Sequence, residues 1–486
     1  MRPSRVLFVT PEFDDFVKVG GLGAVSGALP RALHRLCDIR VIVPGYRAVL
    51  AKASGLEVVG HCAPLAGLPG CSIGRLLTTD QMIVYVVLCA ELYDREGTPY
   101  ADGGGRDWHD NDIRFARFAA AAADLAQGVI DPAWTPDLVH VNDWPSALVP
   151  AYLTWRQASV PTILTIHNLA YQGLFPRKTL SRIGAPSSAF NINGVEFHDQ
   201  VSFLKAGLVY ATHLTTVSET YAGEITTPEF GCGLDGLLRL RAEKQQLTGI
   251  LNGIDETWDS RTCPDLASTY DCGDWKGKRV NADHVRSSFG LAISKGPLFG
   301  LVARLVHQKG VDLVLGAAEA IVSAGGQIVV TGTGEKQFEQ ALERTSQRFS
   351  DSIGVRIGFD EREARRIFAA SDFMLVPSRF EPCGLSQMYA QRFGSLPIGH
   401  HTGGLAETIE DGKTGFLFRS PSLEGFIVAI RRAFSTFGAK RQLNSMRRQA
   451  MARPAGWQGS ALSYSALYEG IASRQVSPSR AGSFTN

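Results

Sequence analysis

The chain reads as an α/β protein of two doubly wound domains facing a central cleft. Three features carry that reading. Short apolar runs of strand length recur along the 486 residues, most of them followed by a stretch with helical spacing. Many of these runs end in glycine or polar residues, which is where ligands bind in a parallel sheet. The rhythm breaks once, over a mixed polar connector at 256–296 that holds Trp258 and Trp275, and then restarts. The expected boundaries are 1–252 and 253–455, then a terminal helix over 456–473 that packs back on the first domain, and a disordered tail over 474–486.

Composition excludes several function classes. A length of 486 residues allows two or three domains with sizeable cores. A hydrophobic content of 44% and a charged content of 20% are ordinary for a globular chain. The formal net charge of +2 gives no electrostatic drive toward nucleic acid or an anionic membrane, so neither is expected as a partner. Only about five apolar residues follow the basic start, too few for a signal-peptide core. The best apolar run, Met82–Ala90, has strand length and falls short of the ~18 residues of a membrane span. The eight cysteines (37, 62, 71, 89, 232, 263, 272 and 383) lack metal-ligand spacing. Reduced thiols in the cytoplasm, with no metal and no cofactor, are the expectation.

In the first half Arg5–Thr10 is a buried strand ending in Pro-Glu. The loop Lys18-Val19-Gly20-Gly21-Leu22-Gly23 leads into a helix over Ala24–Leu36, with Val25, Leu29, Leu33 and Leu36 at helical spacing. Ile39–Val43 is the next strand. GGLG lacks the GxGxxG spacing of a dinucleotide site. Its glycines give clearance for a helix on a sheet or, with Lys18, face a phosphate; both readings stand. Met82–Leu88 is a strand, and the polar loop from Leu92 ends in Asp110-Asn111-Asp112. That triplet has the form of a metal motif, but it directly precedes a helix over Ile113–Gln127, where capping and dipole pairing are the better use. Asp137–Val141 ends in Asn142-Asp143-Trp144, and Thr162–Ile166 ends in His167-Asn168, polar groups suited to a cleft wall. A lone histidine is more often structural than catalytic, so position alone singles out His167. A helix over Phe203–Ala211 and strands at His213–Val217 and Leu247–Leu251 close this half.

In the second half strands fall at Leu298–Ala303, Gln327–Thr331, Val355–Ile357 and Phe373–Val376. Arg304 ends the first and Lys309 begins the helix after it, which fits a diphosphate clamp or plain surface charge. After Phe373–Val376 come a polar turn, a helix from about Cys383 to Phe393, a strand at Leu396–Gly399, and a Thr402-Gly403-Gly404 turn into another helix. Bare amides at such turns suit phosphate. The Glu381 carboxylate beside them cannot hold an anion and wants hydroxyls or a cation. Phosphate and polyol held side by side point to a nucleotide sugar. Helices at Leu423–Phe434, Lys440–Ala452 and Trp457–Ile471 follow, the last with an aromatic face to bury.

Taken together the motifs resemble bacterial and plant starch or glycogen synthases. The segment Lys18-Val19-Gly20-Gly21-Leu22 with Gly27-Ala28-Leu29-Pro30 resembles that family's KTGGL…GALP. The stretches at 92–118, 136–144, 165–175, 202–211, 227–238, 249–255, 304–310 and 377–390 are similar in the same order. The resemblance, from about residue 5 to residue 470, implies a retaining GT-B glycosyltransferase built on two Rossmann-like domains. It would move glucose from ADP-glucose to the non-reducing 4-hydroxyl of an α-1,4-glucan such as glycogen.

Carried over, the resemblance implies that Lys18 and the Gly20 and Gly21 amides face the donor phosphates, and that Arg304 and Lys309 clamp the diphosphate. Glu381 with the Cys383 and Gly384 amides would hold glucose hydroxyls, and Thr402, Gly403 and Gly404 would abut the phosphates. His167 would lie against the transferred sugar, with Asp143 and Asn168 lining the same wall. No convincing pair of carboxylates of the retaining-glycosidase kind is found, which favours a same-face attack assisted by the leaving phosphate. Ala24, Pro145 and His400-His401 depart from the family pattern. A UDP-glucose-using relative and a catalytically weakened glucan-binding homologue are the alternative readings.

Overall fold

The structure, a computed structural model, describes residues 4–476. It divides into two compact units. The first runs to Val217, resumes over Ala222–Asn252 and includes the C-terminal stretch from Trp457; the second holds Gly253–Gly456 with Ser218–Tyr221.

The first unit carries β1 (Arg5–Val9), β2 (Asp38–Pro44), β3 (Glu57–Cys62), β4 (Cys71–Leu77), β5 (Ile83–Leu88), β6 (Leu138–Asn142) and β7 (Thr162–Ile166). Then come β8 (Leu174–Pro176), β9 (Glu196–Phe197), β10 (Gln200–Ser202), β11 (His213–Thr216) and β12 (Leu247–Gly249). Nine of these form one sheet in the order β12-β11-β7-β6-β1-β2-β5-β4-β3. It is parallel from β12 to β5, and β1 lies between β2 and β6. Successive connections therefore leave β1 in opposite directions, and a crevice opens at the carboxyl ends of β1 and β6.

The expected strands reappear because they are apolar and buried on both faces, from Val6 to Val9 and from Ile163 to Ile166. The β3–β4 hairpin escapes a sequence reading. β3 is a largely exposed edge strand with an irregularity between Val58 and Gly60 that blunts the edge. The three-stranded antiparallel sheet β8-β10-β9 has strands of two or three residues, below any periodic signal.

The C-terminal helix spans Gln458–Val476 and so takes in the first three residues of the tail expected over 474–486; the rest of that tail, 477–486, lies outside the described residues. Its aromatic face meets β6 and β7. Tyr468 Oη lies 2.7 Å from His140 Nδ1, and Thr165 Oγ1 lies 2.6 Å from His140 Nε2. Burial pushes the His140 pKa down to about 3, so the ring is neutral at pH 7.

The second unit carries β13 (Leu298–Val302), β14 (Gln327–Gly332), β15 (Ile353–Ile357), β16 (Phe373–Val376), β17 (Leu396–His400) and β18 (Phe416–Phe418). All pair in parallel, in the order β15-β14-β13-β16-β17-β18. Counted within the unit this is 3-2-1-4-5-6, the Rossmann order, with its switch point between β13 and β16. Strand periodicity feeds two cores. Phe299, Leu301, Ile328, Val330, Phe373 and Leu375 enter one. Leu298, Val302, Val329, Met374 and Val376 enter the other.

The expected connector contains a helix, Lys276–Ser288, which hydropathy hides because part of its buried face is polar. Lys278 Nζ donates to the Ala369 and Phe393 carbonyls and to Ser395 Oγ, at 2.9 to 3.0 Å. The first two lie at helix C-termini, so one buried amine satisfies backbone acceptors that two helices leave open.

Candidate active site

In the first unit the marked residues gather at the carboxyl ends of β1, β6 and β7. Two residues the sequence reading passed over organise the loop after β1. Glu12, 3% exposed, accepts the Val19 and Gly20 amides through Oε2 at 2.7 and 3.2 Å. Its Oε1 accepts the Tyr100 hydroxyl at 2.6 Å. Gly21 opens the helix Gly21–Leu33, and Glu12 thus holds the N–H groups at its start, a favourable place for a carboxylate. Lys18 is exposed and pairs with Asp14 at 3.0 Å.

The glycines of this loop divide between the two sequence readings. A Cβ on Gly23 or Gly27 would meet Lys18 or Asp14 at 3.0 or 2.8 Å, so those two give packing clearance. A Cβ on Gly20 or Gly21 would meet nothing within 4 Å, so packing does not account for them. Open space over the backbone is what a close-approaching ligand requires, but the Gly20 amide, expected to face a phosphate, is already donated to Glu12 at 3.2 Å.

Asp143 has φ +54°, in the left-handed region, which is uncommon outside glycine and a form of strain that concentrates at functional sites. The turn aims Oδ1 at the amides of His167 and Asn168, 2.7 and 3.4 Å away. Burial raises the Asp143 carboxyl to about 7, Glu12 adds to the rise, and the two amides oppose it. Asn142 fixes the neighbouring imidazole. Its Nδ2 donates to Val9 O at 3.1 Å, which leaves Oδ1 to accept from His167 Nε2 at 3.0 Å. His167 therefore carries its proton on Nε2 and keeps a lone pair on Nδ1. Burial pushes its pKa down to about 3.

The acidic triplet opens the helix Asn111–Ala126: Asp110 is its N-cap residue, and Asp112, in the first turn, accepts the Ile113 amide at 2.9 Å. Asp110 forms a two-pronged pair with Arg95 at 2.8 and 2.7 Å, and its side chain does not cap the helix. Asp112 accepts from Thr179 and Arg182, both at 2.8 Å. Among the described residues no His, Cys, Asp and Glu group could hold a metal ion.

In the second unit the switch point joins the loops after β13 and β16. Arg379 N donates to Gln308 O at 2.8 Å, and Gln308 Nε2 donates to Phe380 O at 3.1 Å. Across this seam Lys309 Nζ lies 2.6 Å from Glu381 Oε2, which also accepts from Ser378 Oγ at 2.8 Å. The carboxylate wants a cation, as its chemistry demands, and Lys309 supplies one. Glu381 is 6% exposed, whereas Arg304, at the end of the same β13 loop, is exposed.

The helix after Glu381 begins at Ser386, so Cys383 and Gly384 belong to the loop and not to a helical first turn. Gly384 takes φ +71°. The Thr402-Gly403-Gly404 turn presses on the same loop. A Cβ on Gly403 would lie 2.0 Å from the Glu381 carbonyl, and one on Gly404 would lie 2.0 Å from the Cys383 carbonyl. The Gly404 amide donates to Glu381 O at 3.0 Å and to Pro382 O at 3.2 Å. That amide is thus not bare, and the glycine pair sets the position of the Glu381 loop. With Gly403 at φ +42°, Gly403→Ala is expected to displace Glu381 and to lower transferase activity by more than tenfold. Steady-state kinetics beside a thermal melt would check this, since a folded variant of normal activity is the contrary result.

His400 bridges these loops from the end of β17. Its Nδ1 lies 3.1 Å from the Ser378 and Arg379 carbonyls, and its Nε2 lies 3.1 Å from the Arg419 carbonyl.

Two Rossmann-like units, each with a sheet crevice lined by cations, carboxylates and amides, define a glycosyltransferase fold of the GT-B type. Residues 5–240 match the starch synthase catalytic domain family, and residues 296–436 match the glycosyl transferases group 1 family. The chain is 66% identical over 459 residues to Glycogen synthase 1 of Bradyrhizobium diazoefficiens, covering 94% of this chain and 99% of the relative. It is 53% identical over 475 residues to Glycogen synthase of Pseudomonas syringae pv. syringae, with 98% of each chain covered. The catalytic domain of Starch Synthase IV from Arabidopsis thaliana, solved bound to ADP and acarbose, superposes with a TM-score of 0.85 at 30% identity, covering 98% of this chain and 100% of that one. The chain belongs to the bacterial glycogen synthase and starch synthase family.

Proposed function

We propose that the protein transfers glucose from ADP-glucose to the non-reducing 4-hydroxyl of an α-1,4-glucan, with retention of configuration, in the cytoplasm. The observation that carries this reading is the Lys309–Glu381–Ser378 constellation at the switch point of the second unit, 2.6 and 2.8 Å between partners. The ADP and acarbose bound by the plant relative agree with a nucleotide and a glucan-like ligand.

In this reading Arg304 and Lys309 take the diphosphate and stabilise charge on departing ADP. Glu381, with the Cys383 and Gly384 amides, takes glucose hydroxyls, and Thr402, Gly403 and Gly404 abut the phosphates. Lys18 with Gly20 and Gly21 faces the donor phosphates, while Asp143, His167 and Asn168 serve the transferred sugar. The glucose C1–O bond to the diphosphate breaks as the glucan O4–C1 bond forms on the same face. The leaving phosphate oxygen receives the proton of the 4-hydroxyl, so no acid is needed.

The test is ADP release from ADP-glucose, with and without glycogen, beside Lys18→Ala and a UDP-glucose arm. Glycogen-dependent turnover that collapses in Lys18→Ala is expected. Glucan binding without ADP release would overturn the reading. Preference for UDP-glucose would overturn its donor and turn attention to Ala24 and His400-His401.

A further inference from the structure

Three thiols that the proposed reaction does not use stand in one row across the hairpin edge of the first unit's sheet. Cys62 ends β3 and Cys71 begins β4, and the antiparallel register sets them opposite each other. The β4–β5 register pairs Ser72 with Leu88 and so carries Cys71 toward Cys89 on its other side. Opposed antiparallel residues have Cα atoms about 4.5–5.5 Å apart, within the roughly 4.4–6.8 Å that a disulfide spans. All three are free thiols, each less than a tenth exposed, yet they line an open surface depression of about 510 Å³ with His61, Ser72 and Glu91.

The three are not equivalent. The neighbouring Cys62 thiol lowers the Cys71 pKa, and its own is raised. The Arg117 guanidinium, itself buried, also favours the Cys71 thiolate. That guanidinium donates to the Ala63 and Pro69 carbonyls at 3.0 and 3.2 Å, so it is fixed beside the base of the hairpin loop. Burial pushes the Cys89 thiol up to about 11, which makes it the poorer nucleophile. The thiolate is the form that attacks.

We propose that Cys71 and Cys62 form an oxidant-responsive dithiol, in which Cys71 takes a peroxide oxygen and Cys62 resolves it as a reversible disulfide. The Cys71 thiolate attacks one oxygen of hydrogen peroxide, the O–O bond breaks, and the released hydroxide takes up a proton to become water. Cys71 is then a sulfenic acid. The Cys62 sulfur attacks it, the S–O bond breaks, and the Cys62 proton leaves with that hydroxide as a second water. The two thiols lose two electrons and the peroxide gains them. The new bond ties the base of the 63–70 loop, whose carbonyls hold Arg117.

The sequence makes the test direct, because cleavage after Lys52 and Arg75 leaves Cys62 and Cys71 on one peptide and Cys89 on another. The full-length protein is treated with limiting hydrogen peroxide, alkylated with N-ethylmaleimide, digested without reductant and weighed. The expected product is a 53–75 peptide lacking two hydrogens and both alkyl groups, restored to the alkylated form by dithiothreitol. The exposed Cys232 and Cys272 are expected to stay alkylated at the same dose. In Cys62→Ser, Cys71 is expected to persist as a sulfenic acid that dimedone traps. A fully alkylated 53–75 peptide at doses that oxidise Cys232 would overturn the proposal, and so would a Cys71–Cys89 cross-link.

Discussion

Lys309→Ala is expected to lower kcat/KM for ADP-glucose by about 10²–10³-fold, the typical loss when one preorganised electrostatic contact to a developing anion is removed. The ammonium group has two tasks. It neutralises Glu381, and it stands where the resemblance puts the diphosphate. Removing it leaves a 6% exposed carboxylate with Ser378 Oγ as its remaining side-chain partner. A stability loss on the order of 1–3 kcal/mol should accompany the kinetic one. Lys309→Arg keeps the charge and should recover stability before activity, since a planar fork does not reproduce a point contact of 2.6 Å. Steady-state kinetics and chemical denaturation on the three proteins separate the two tasks. Alanine within a factor of three of the parent enzyme would remove Lys309 from the machinery.

The second large effect belongs to Asp143 and shows in the pH profile. Burial raises its carboxyl from the usual 3.8 to about 7. The form that holds the His167 and Asn168 amides best is the carboxylate, so activity should fall below neutrality with a midpoint near pH 7. His167 cannot supply that limb, because burial keeps its pKa near 3. Asp143→Asn should flatten the limb and lower the plateau by about 10–100-fold.

Stability gives an independent check of sign. Between pH 3.8 and about 7 the native carboxyl binds a proton that the unfolded chain releases, so this group's contribution is full at low pH and is lost as pH rises through 7. The melting temperature of Asp143→Asn, relative to the parent, should therefore improve from pH 4 to pH 8. An unchanged acid limb in the variant would contradict the assignment.

Much of this was legible in the sequence where a residue's job is local. Strands such as Leu298–Val302 and Phe373–Val376 are buried on both faces and announce themselves as apolar runs. Their polar endings mark the crevices of a parallel sheet. What stayed hidden depends on topology or on weak local pattern. Lys309 and Glu381 stand 72 residues apart, and their pairing exists only because β13 and β16 are neighbours.

Glu12, a single carboxylate after a strand, looks like any other until Tyr100 reaches it from 88 residues away. The β3 edge strand and the Lys276–Ser288 helix hide for opposite reasons. One leaves most of its length in solvent, and the other buries polar groups such as Lys278 by hydrogen bonding them. The glycine pair was legible as a tight turn, but its partner, the Glu381 and Cys383 backbone, was not.

Transfer itself is followed by nuclear magnetic resonance with ADP-glucose labelled with carbon-13 at glucose C1, in the presence of glycogen. Label is expected to leave the donor and to appear as an α-1,4-linked C1 resonance on the polymer, in step with ADP. Label appearing only as free glucose, or as a β-linked product, would rule out retaining transfer to the glucan.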